Sequence, residues 1–254
     1  MLEILQLPIL QDNYVYLVHD AESGQTAAID PGLADPVLVA LRQRQWRLDY
    51  IFNTHHHWDH VDGNLALKRQ TGCEVIAGQG DVGRIPGVDR GIGDGDLLML
   101  GKHPIHVMVT PGHTLHHVAY YFVGQQWLFC GDTVFVMGCG RLFEGTAEQL
   151  WHSLQKIRML PMTTRIYCAH EYTLNNAQFA LALEPGNVAL QVKVRDVQAW
   201  RAKKQPTVPS TMAEELATNP FFREESLELQ KNINMLGKPP IQVFAQIRRL
   251  KDSF

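Results

Sequence analysis

Residues Thr54–His60 bring four side chains that commonly bind metals into six consecutive positions, in the pattern H-x-H-x-D-H. These are His55, His57, Asp59 and His60. Imidazole nitrogens together with a carboxylate suit Zn²⁺ and related first-row metal ions. A metal-sequestering histidine tract or a purification tag is the alternative, but a tag lies at a terminus and carries no aspartate within its pattern. We therefore predict a catalytic metal site.

Three later segments repeat the arrangement of an apolar run that is followed by a residue able to bind a metal. They place His113, Asp132 and His170 after the predicted strands Ile105–Val109, Trp127–Cys130 and Arg165–Cys168, respectively. A single histidine or aspartate in such a place is more often a turn or capping residue. The repetition favours one shared metal site.

The elements that must position these residues can be read from the hydrophobic pattern. Strands are predicted at Leu2–Gln6, Tyr14–Val18, Thr26–Ile29, Tyr50–Asn53, Glu74–Ala77, Ile105–Val109, His117–Phe122, Trp127–Cys130 and Arg165–Cys168. Helices are predicted at Asp35–Gln43, Gly63–Gln70, Ala147–Leu160, Asn175–Leu183, Ala189–Lys203 and Ser226–Asn232. Because no strand pattern follows residue 174, a domain boundary is expected there.

Four motifs, in this order and spacing, resemble those of the metallo-β-lactamase superfamily: T-H-H-H-W-D-H, T-P-G-H-T, G-D-T and A-H-E-Y-T. Within that superfamily the chain resembles the glyoxalase II family, the hydroxyacylglutathione hydrolases, essentially from end to end. The narrower resemblance rests on the segments Asp12–Tyr14, Ile29–Gly32, Cys139–Thr146, Pro206–Thr211 and Arg248–Asp252.

The resemblance implies an α+β fold in two parts. Residues 1–174 would form a four-layer αββα metallo-β-lactamase sandwich, the metal-binding catalytic domain. Residues 175–254 would form a smaller all-α domain that binds the substrate. One metal ion would be held by His55, His57 and His113, and a second by Asp59, His60 and His170, with Asp132 bridging both. Zinc is the expected metal, with iron or manganese as alternatives.

Predictions can also be made for two residues that are not ligands themselves. His56 should point away from the metals, because alternate residues of an extended segment face opposite sides. Asp30 is expected to hydrogen-bond a ligand imidazole, although a plain turn aspartate is nearly as good an interpretation.

The activity implied by the resemblance is hydrolysis of S-D-lactoylglutathione and related S-2-hydroxyacylglutathiones to D-lactate, or another 2-hydroxy acid, and glutathione. This is the second step of methylglyoxal detoxification. A hydroxide that bridges the two metals would attack the thioester carbonyl, with Asp59 and Asp132 as the catalytic carboxylates. The leaving thiolate needs little help from an acid, since thiols ionise near a pKa of about 8.5. The chain has no G-x-S-x-G motif, so no serine nucleophile is expected.

The resemblance also assigns the contacts to glutathione. The predicted substrate-binding residues are Arg141, Phe143, Tyr172, Arg248 and Lys251. The last two are three positions apart and would share one face of a helix, although they could instead complement the charge of a helix end.

Some positions depart from the family pattern. Phe143 stands where some relatives have tyrosine. Arg141 stands where some have lysine, and the planar guanidinium group of arginine is not equivalent to an ammonium group. His116 replaces a glycine and would be strained if that glycine has a positive φ. Trp58, between the ligands, is interpreted as a packing residue.

Charge and cysteine content limit the remaining possibilities. Residues 1–190 carry 12 basic and 19 acidic side chains (net −7), and residues 191–254 carry 11 and 7 (net +4). A basic C-terminal segment suits an anionic small substrate, while a solvated charged face is the alternative. The four cysteines show no disulfide spacing, which fits a reducing cytoplasm. We expect a cytoplasmic monomer with a small-molecule substrate and no nucleic-acid or membrane partner.

Other functions on the same fold stay open at this point. They are a mononuclear iron persulfide dioxygenase, a nuclease or lactonase, and a regulatory binding module with a vestigial site. The complete set of ligands for a second metal ion argues against the dioxygenase. The net negative charge of residues 1–190 argues against the nuclease. A vestigial site would be expected to lack ligands, whereas every ligand position here is filled.

Overall fold

The chain begins with a mixed sheet that carries the first group of predicted ligands. Its strands are β1 (Leu2–Ile9), β2 (Asn13–Asp20), β3 (Gln25–Ile29), β4 (Tyr50–Phe52), β5 (Glu74–Gly78) and β6 (Arg90–Ile92), hydrogen-bonded in that order. The first three are antiparallel, and β3 to β6 are parallel. The computed structural model describes residues 1–254 and divides into two compact units.

The parallel pairing of β3 with β4 determines where the ligands emerge. Ile29 lies opposite Phe52 in the register, so both strands end at the same edge of the sheet. Asp30 therefore leaves the sheet beside the segment that begins at Asn53. Since parallel strands place their carboxyl ends together, this edge is where α/β sheets usually hold functional residues.

The first unit comprises Met1–Val109 and Leu115–Gly131. It also contains an antiparallel run of strands, β7 (Leu97–Leu100), β8 (His103–Val109), β9 (Val118–Phe122) and β10 (Trp127–Gly131). Its helices are α1 (Ala34–Arg44), α2 (Trp58–Val61) and α3 (Asn64–Thr71). Val37 and Leu41 of α1 pack with Leu17 and Ile51 of the mixed sheet in one buried cluster, which holds the helix against the sheet.

The second unit comprises Thr110–Thr114 and Asp132–Phe254 and is mostly helical. Its helices are α4 (Ala147–Arg158), α5 (Thr173–Leu183), α6 (Val188–Ala202), α7 (Met212–Thr218), α8 (Leu227–Asn232) and α9 (Pro240–Asp252). Its strands are β11 (Val134–Phe135), β12 (Gly138–Cys139), β13 (Arg165–Cys168) and β14 (Ser210–Thr211). Thr146 and Thr211 begin α4 and α7 with capping boxes, in which each threonine hydroxyl accepts from a backbone N–H one turn later.

The predicted elements are confirmed in type and position, since each predicted strand and helix overlaps an observed one. The prediction that strands end before residue 174 is wrong at one place. Ser210 and Thr211 form β14, which pairs with Arg165 and Ile166 of β13. Two residues are too few to show an alternating pattern, so the sequence gives no signal for this strand. The proposed boundary at residues 174/175 stays a prediction.

None of the helices combines the length and the apolar character that crossing a membrane requires.

Candidate functional site

The first unit holds four predicted ligands in the segment that follows β4. His55 and His60 are buried, while His57 and Asp59 are partly buried. His55 Nε2 lies 3.0 Å from His57 Nδ1, and His60 Nε2 lies 3.3 Å from Asp59 Oδ2. The H-x-H-x-D-H spacing thus brings its donor atoms together in two close pairs.

Asp30 orients two of these imidazoles from the end of β3. Its Oδ2 lies 3.1 Å from His60 Nδ1 and accepts a hydrogen bond from the Thr54 hydroxyl at 2.6 Å. That hydroxyl in turn lies 3.0 Å from His55 Nδ1. With the acceptors on this side, both rings carry their proton on Nδ1 and present the Nε2 lone pair for a metal. The expected hydrogen bond between Asp30 and one of the predicted ligands is thus present, at His60.

Asn13 is a member of the site that the sequence did not assign. Its side-chain amide donates to Asp59 Oδ2 at 2.8 Å. Asn13 begins β2 and belongs to the Asp12–Tyr14 motif, so that motif was the signal that could have identified it. The contact fixes the direction in which the Asp59 carboxylate points.

The residues between the ligands take other directions. His56 Nδ1 lies 3.5 Å from Asp81 Oδ2, and Arg84 lies 2.6 Å from His56 Nε2, so His56 is held by contacts outside the ligand pairs. The interpretation of Trp58 as a packing residue is wrong, because its side chain is 62% exposed at the start of α2. His116 is an exposed loop residue without a positive φ, so the strain considered for it does not arise.

The second unit holds the other three predicted ligands. Asp132 Oδ2 lies 3.4 Å from His113 Nε2 and also 3.4 Å from His170 Nε2. All three side chains are buried. His113 Nδ1 lies 2.9 Å from the Arg141 carbonyl oxygen, to which it can donate, and in that tautomer Nε2 carries the lone pair that could bind a metal. One oxygen of the Asp132 carboxylate is therefore equally distant from two imidazole nitrogens.

The spacing of the donor atoms within each unit fits a bound metal ion. Two ligands that bind one ion at about 2.1 Å in tetrahedral geometry lie about 3.4 Å apart. The His55–His57 pair has 3.0 Å, and both Asp132–histidine pairs have 3.4 Å. The donor set of imidazole and carboxylate also suits a first-row dication.

Four of the predicted substrate-binding residues are at least partly exposed on the second unit. Phe143 is 63% exposed, and its ring meets that of His113 edge-on at 5.2 Å. Tyr172 stacks on His170 with ring centroids 4.6 Å apart. Arg141 is exposed and lies 3.8 Å from Asp252.

Lys251 is the fourth of these residues and has an unusual environment. Its ammonium group lies over the rings of Phe179 and Phe254 and donates to the side chain of Asn175. Burial, together with the guanidinium groups of Arg248 and Arg141, lowers the pKa of Lys251 to about 8. The charge of this lysine therefore changes close to physiological pH.

Arg248 differs from the others because it is only 3% exposed. Its Nη1 donates to the carbonyl oxygens of Cys139 at 2.8 Å and Gly140 at 3.2 Å, and its Nη2 donates to Asp252 at 3.0 Å. The prediction that Arg248 contacts a substrate stays a prediction.

Comparison with known proteins places this chain in a family. The metallo-beta-lactamase superfamily model matches residues 10–170, and the model described as the hydroxyacylglutathione hydrolase C-terminus matches residues 171–254. The hydroxyacylglutathione hydrolase of Methylococcus capsulatus is 55% identical over 254 residues, which is 100% of this chain and 99% of the relative. The chain belongs to the hydroxyacylglutathione hydrolase family.

A second relative agrees with this family, and a solved structure agrees with the fold. The hydroxyacylglutathione hydrolase of Rhodospirillum rubrum is 48% identical over 253 residues, covering 100% of this chain and 99% of the relative. The crystal structure of ETHE1 from Myxococcus xanthus matches with a TM-score of 0.68 at 25% identity, over 99% of both chains. The predicted fold class is confirmed: a metallo-β-lactamase fold of mixed sheets with a helical C-terminal region. The chain is an enzyme, a metal-dependent thioester hydrolase of the glyoxalase II type that acts on a small molecule.

Proposed function

We propose that the seven predicted ligands hold two divalent metal ions, one bound by His55, His57 and His113 and the other by Asp59, His60 and His170. Asp132 binds both ions in this assignment. The observation that carries it is the position of Asp132 Oδ2, which is equally distant from His113 and His170 within the second unit. Zinc is the proposed metal, since imidazole and carboxylate suit it, with iron and manganese as alternatives.

The reaction is the hydrolysis of S-D-lactoylglutathione, and of related S-2-hydroxyacylglutathiones, to a 2-hydroxy acid and glutathione. When bound, a pair of dications activates water at neutral pH and polarises the substrate carbonyl. Asp59 and Asp132 contribute the negative charge that keeps two dications close to each other. Asp30 and Asn13 hold His60 and Asp59, respectively, and so orient these two proposed ligands.

The second unit supplies the contacts to the glutathione part. Arg141 and Lys251 provide positive charge for carboxylates, and the Tyr172 hydroxyl offers a hydrogen bond. Phe143 provides an exposed ring where a tyrosine hydroxyl would otherwise reach the substrate. Arg248, which is buried, contributes through the carbonyl groups that it holds.

The test is a thioesterase assay with metal analysis of the same preparation. The absorbance of the thioester should fall when S-D-lactoylglutathione is added, and glutathione persulfide should cause no oxygen consumption. Treatment with a chelator should remove most of the activity, and Zn²⁺ should restore it. Full activity in metal-free protein would contradict the metal assignment.

Lys251 makes substrate affinity depend on pH. Its pKa is lowered to about 8, so its ammonium group is charged below pH 8 and loses its proton above it. If the charge is needed for binding, KM for S-D-lactoylglutathione should rise about tenfold from pH 7 to pH 9, with a smaller change in kcat. In Lys251→Arg the guanidinium stays charged and this rise should disappear. An equal rise in both proteins would exclude Lys251 as its source.

The proposal places the enzyme in the cytoplasm as a monomer that acts without nucleic acid or membrane. The four cysteines are free and buried, which suits a reducing compartment. Size-exclusion chromatography with light scattering tests the monomer.

A further inference from the structure

One short backbone segment connects the proposed metal ligand Asp132 to the proposed substrate contact Arg141. Residues 135–140 form the turn of the β11–β12 hairpin and its exit. The backbone polar groups of this segment are bonded by buried side chains from three helices of the same unit.

Helix α7 and the residue after it hold the turn itself. The Asn219 side-chain amide donates to the carbonyl oxygens of Phe135 at 3.2 Å and Gly138 at 2.9 Å. The Met137 N–H donates to Glu215 Oε2 at 2.9 Å. Met137 has a φ of 56°, a conformation that costs energy for a non-glycine residue and persists only where the surroundings hold it.

Two other helices complete the contacts. Asn176 of α5 donates to the Val136 carbonyl oxygen at 3.1 Å. Arg248 of α9 donates to the carbonyl oxygens of Cys139 and Gly140. Between residues 135 and 140, every backbone position is therefore bonded to one of four side chains: Asn176, Glu215, Asn219 and Arg248.

The four side chains are costly to bury. Their exposed fractions are 4%, 0%, 0% and 3%, respectively. Polar and charged groups are seldom this buried unless their hydrogen bonds are specific, because desolvation has to be offset. Burial also raises the pKa of Glu215 to about 7, in spite of the hydrogen bonds from the Met137 N–H and the Asn219 amide that lower it.

The C-terminal end of the segment meets the proposed ligands. A Cβ atom on Gly140 would lie 2.0 Å from the Asp132 carbonyl oxygen, so the backbones touch there. The next carbonyl, that of Arg141, accepts from His113 Nδ1. A shift of the segment would therefore move Asp132 and release the ring of His113.

We propose that Asn176, Glu215, Asn219 and Arg248 form a buried polar clamp that positions both the metal ligands of the second unit and the substrate contact Arg141. The clamp residues are positioning residues, because the contacts that define the clamp are their hydrogen bonds to the backbone of residues 135–140. This inference rests on the proposed function of Asp132, His113 and Arg141. It gives the helical region a role in metal retention in addition to substrate binding.

The test compares two buried glutamates of the second unit. Glu215→Leu removes the acceptor for Met137. Glu224→Leu is the matched control, because Glu224 is similarly buried but binds Trp151, Gln155 and Arg158 of α4, none of which belongs to the segment. Zinc-loaded proteins are exposed to a chelator well below their melting temperatures, and the rate of zinc loss is measured together with kcat and KM.

Glu215→Leu should lose zinc about tenfold faster than the unsubstituted protein, the size expected for partners that support metal ligands, with a lower kcat and a higher KM. Glu224→Leu should lower the melting temperature and leave the rate of zinc loss unchanged. Glu215→Gln, which keeps a carbonyl oxygen for the Met137 N–H, should restore slow zinc loss. Equal zinc loss in the two leucine variants would overturn the clamp.

A milder variant keeps the test decisive if Glu215→Leu does not fold. Asn176→Ala removes only the bond to Val136 and places a good helix former in α5. It should accelerate zinc loss in the same direction, and an unchanged rate would count against the proposal. Absence of thioester hydrolysis in the unsubstituted protein would refute the proposed function, while the rates of zinc loss would still decide on the clamp.

Discussion

Replacement of Asp132 by alanine is expected to lower kcat for S-D-lactoylglutathione by at least about a hundredfold, more than is typical for residues that only support a ligand. Asp132 Oδ2 lies 3.4 Å from both His113 Nε2 and His170 Nε2. Without this carboxylate, two neighbouring dications would repel each other with no shared anion between them. The variant should therefore also bind less than two metal ions per chain, as measured by elemental analysis.

Asp196→Ala is a suitable control for the Asp132 variant. Asp196 lies on the exposed side of α6, so its removal changes the net charge equally but should leave metal content and kcat unchanged. If Asp132→Ala kept both metal ions and most of its kcat, Asp132 would not be the bridging ligand.

Gly32→Ala is the second substitution with a large expected effect. A Cβ atom on Gly32 would lie 1.9 Å from the backbone carbonyl oxygen of Asp59, and a backbone atom cannot rotate away. The start of α2 would have to shift and take Asp59 and His60 with it. A displacement of about 1 Å near a catalytic centre can cost about a hundredfold in rate. We expect a fall in kcat of this size and a lower metal content, measured on protein that circular dichroism shows to be folded.

Gly83→Ala is the matched control, because a Cβ atom there would meet nothing within 4 Å. It should keep the kcat and metal content of the unsubstituted protein. If Gly32→Ala behaved in the same way, the close approach between the Ile29–Gly32 turn and α2 would have no bearing on the site.

The sequence predicted the strands that precede the proposed ligands well, because the signal is local. Each predicted ligand follows an apolar run, and the run predicts both the strand and the point where it ends. The pairing of Asp30 with His60 could be anticipated for a related reason, since the Ile29–Gly32 motif follows a strand that proved to be parallel to β4.

The environment of Arg248 could not be predicted, because the two carbonyl groups that it holds, those of Cys139 and Gly140, are more than a hundred positions away in sequence. Charge alone favoured an exposed arginine, since arginine is seldom fully buried. Glu215 and Asn219 gave no signal for a similar reason. Their partners are backbone groups of a distant hairpin, and backbone groups leave no trace in residue types.

Trp58 shows the opposite error, a residue that was predicted to be packed and is exposed. Its large aromatic side chain, between two predicted ligands, predicts burial, yet Trp58 is 62% exposed. The helix α2 has only four residues, too few for a hydrophobic period to show which side faces the core.

The carboxylate of Asp30 reaches His60 directly and His55 through the Thr54 hydroxyl. In the proposed assignment these two histidines serve different ions. Loss of the Asp30 carboxylate would therefore weaken the binding of both metal ions together, and would not produce an enzyme that retains only one of them.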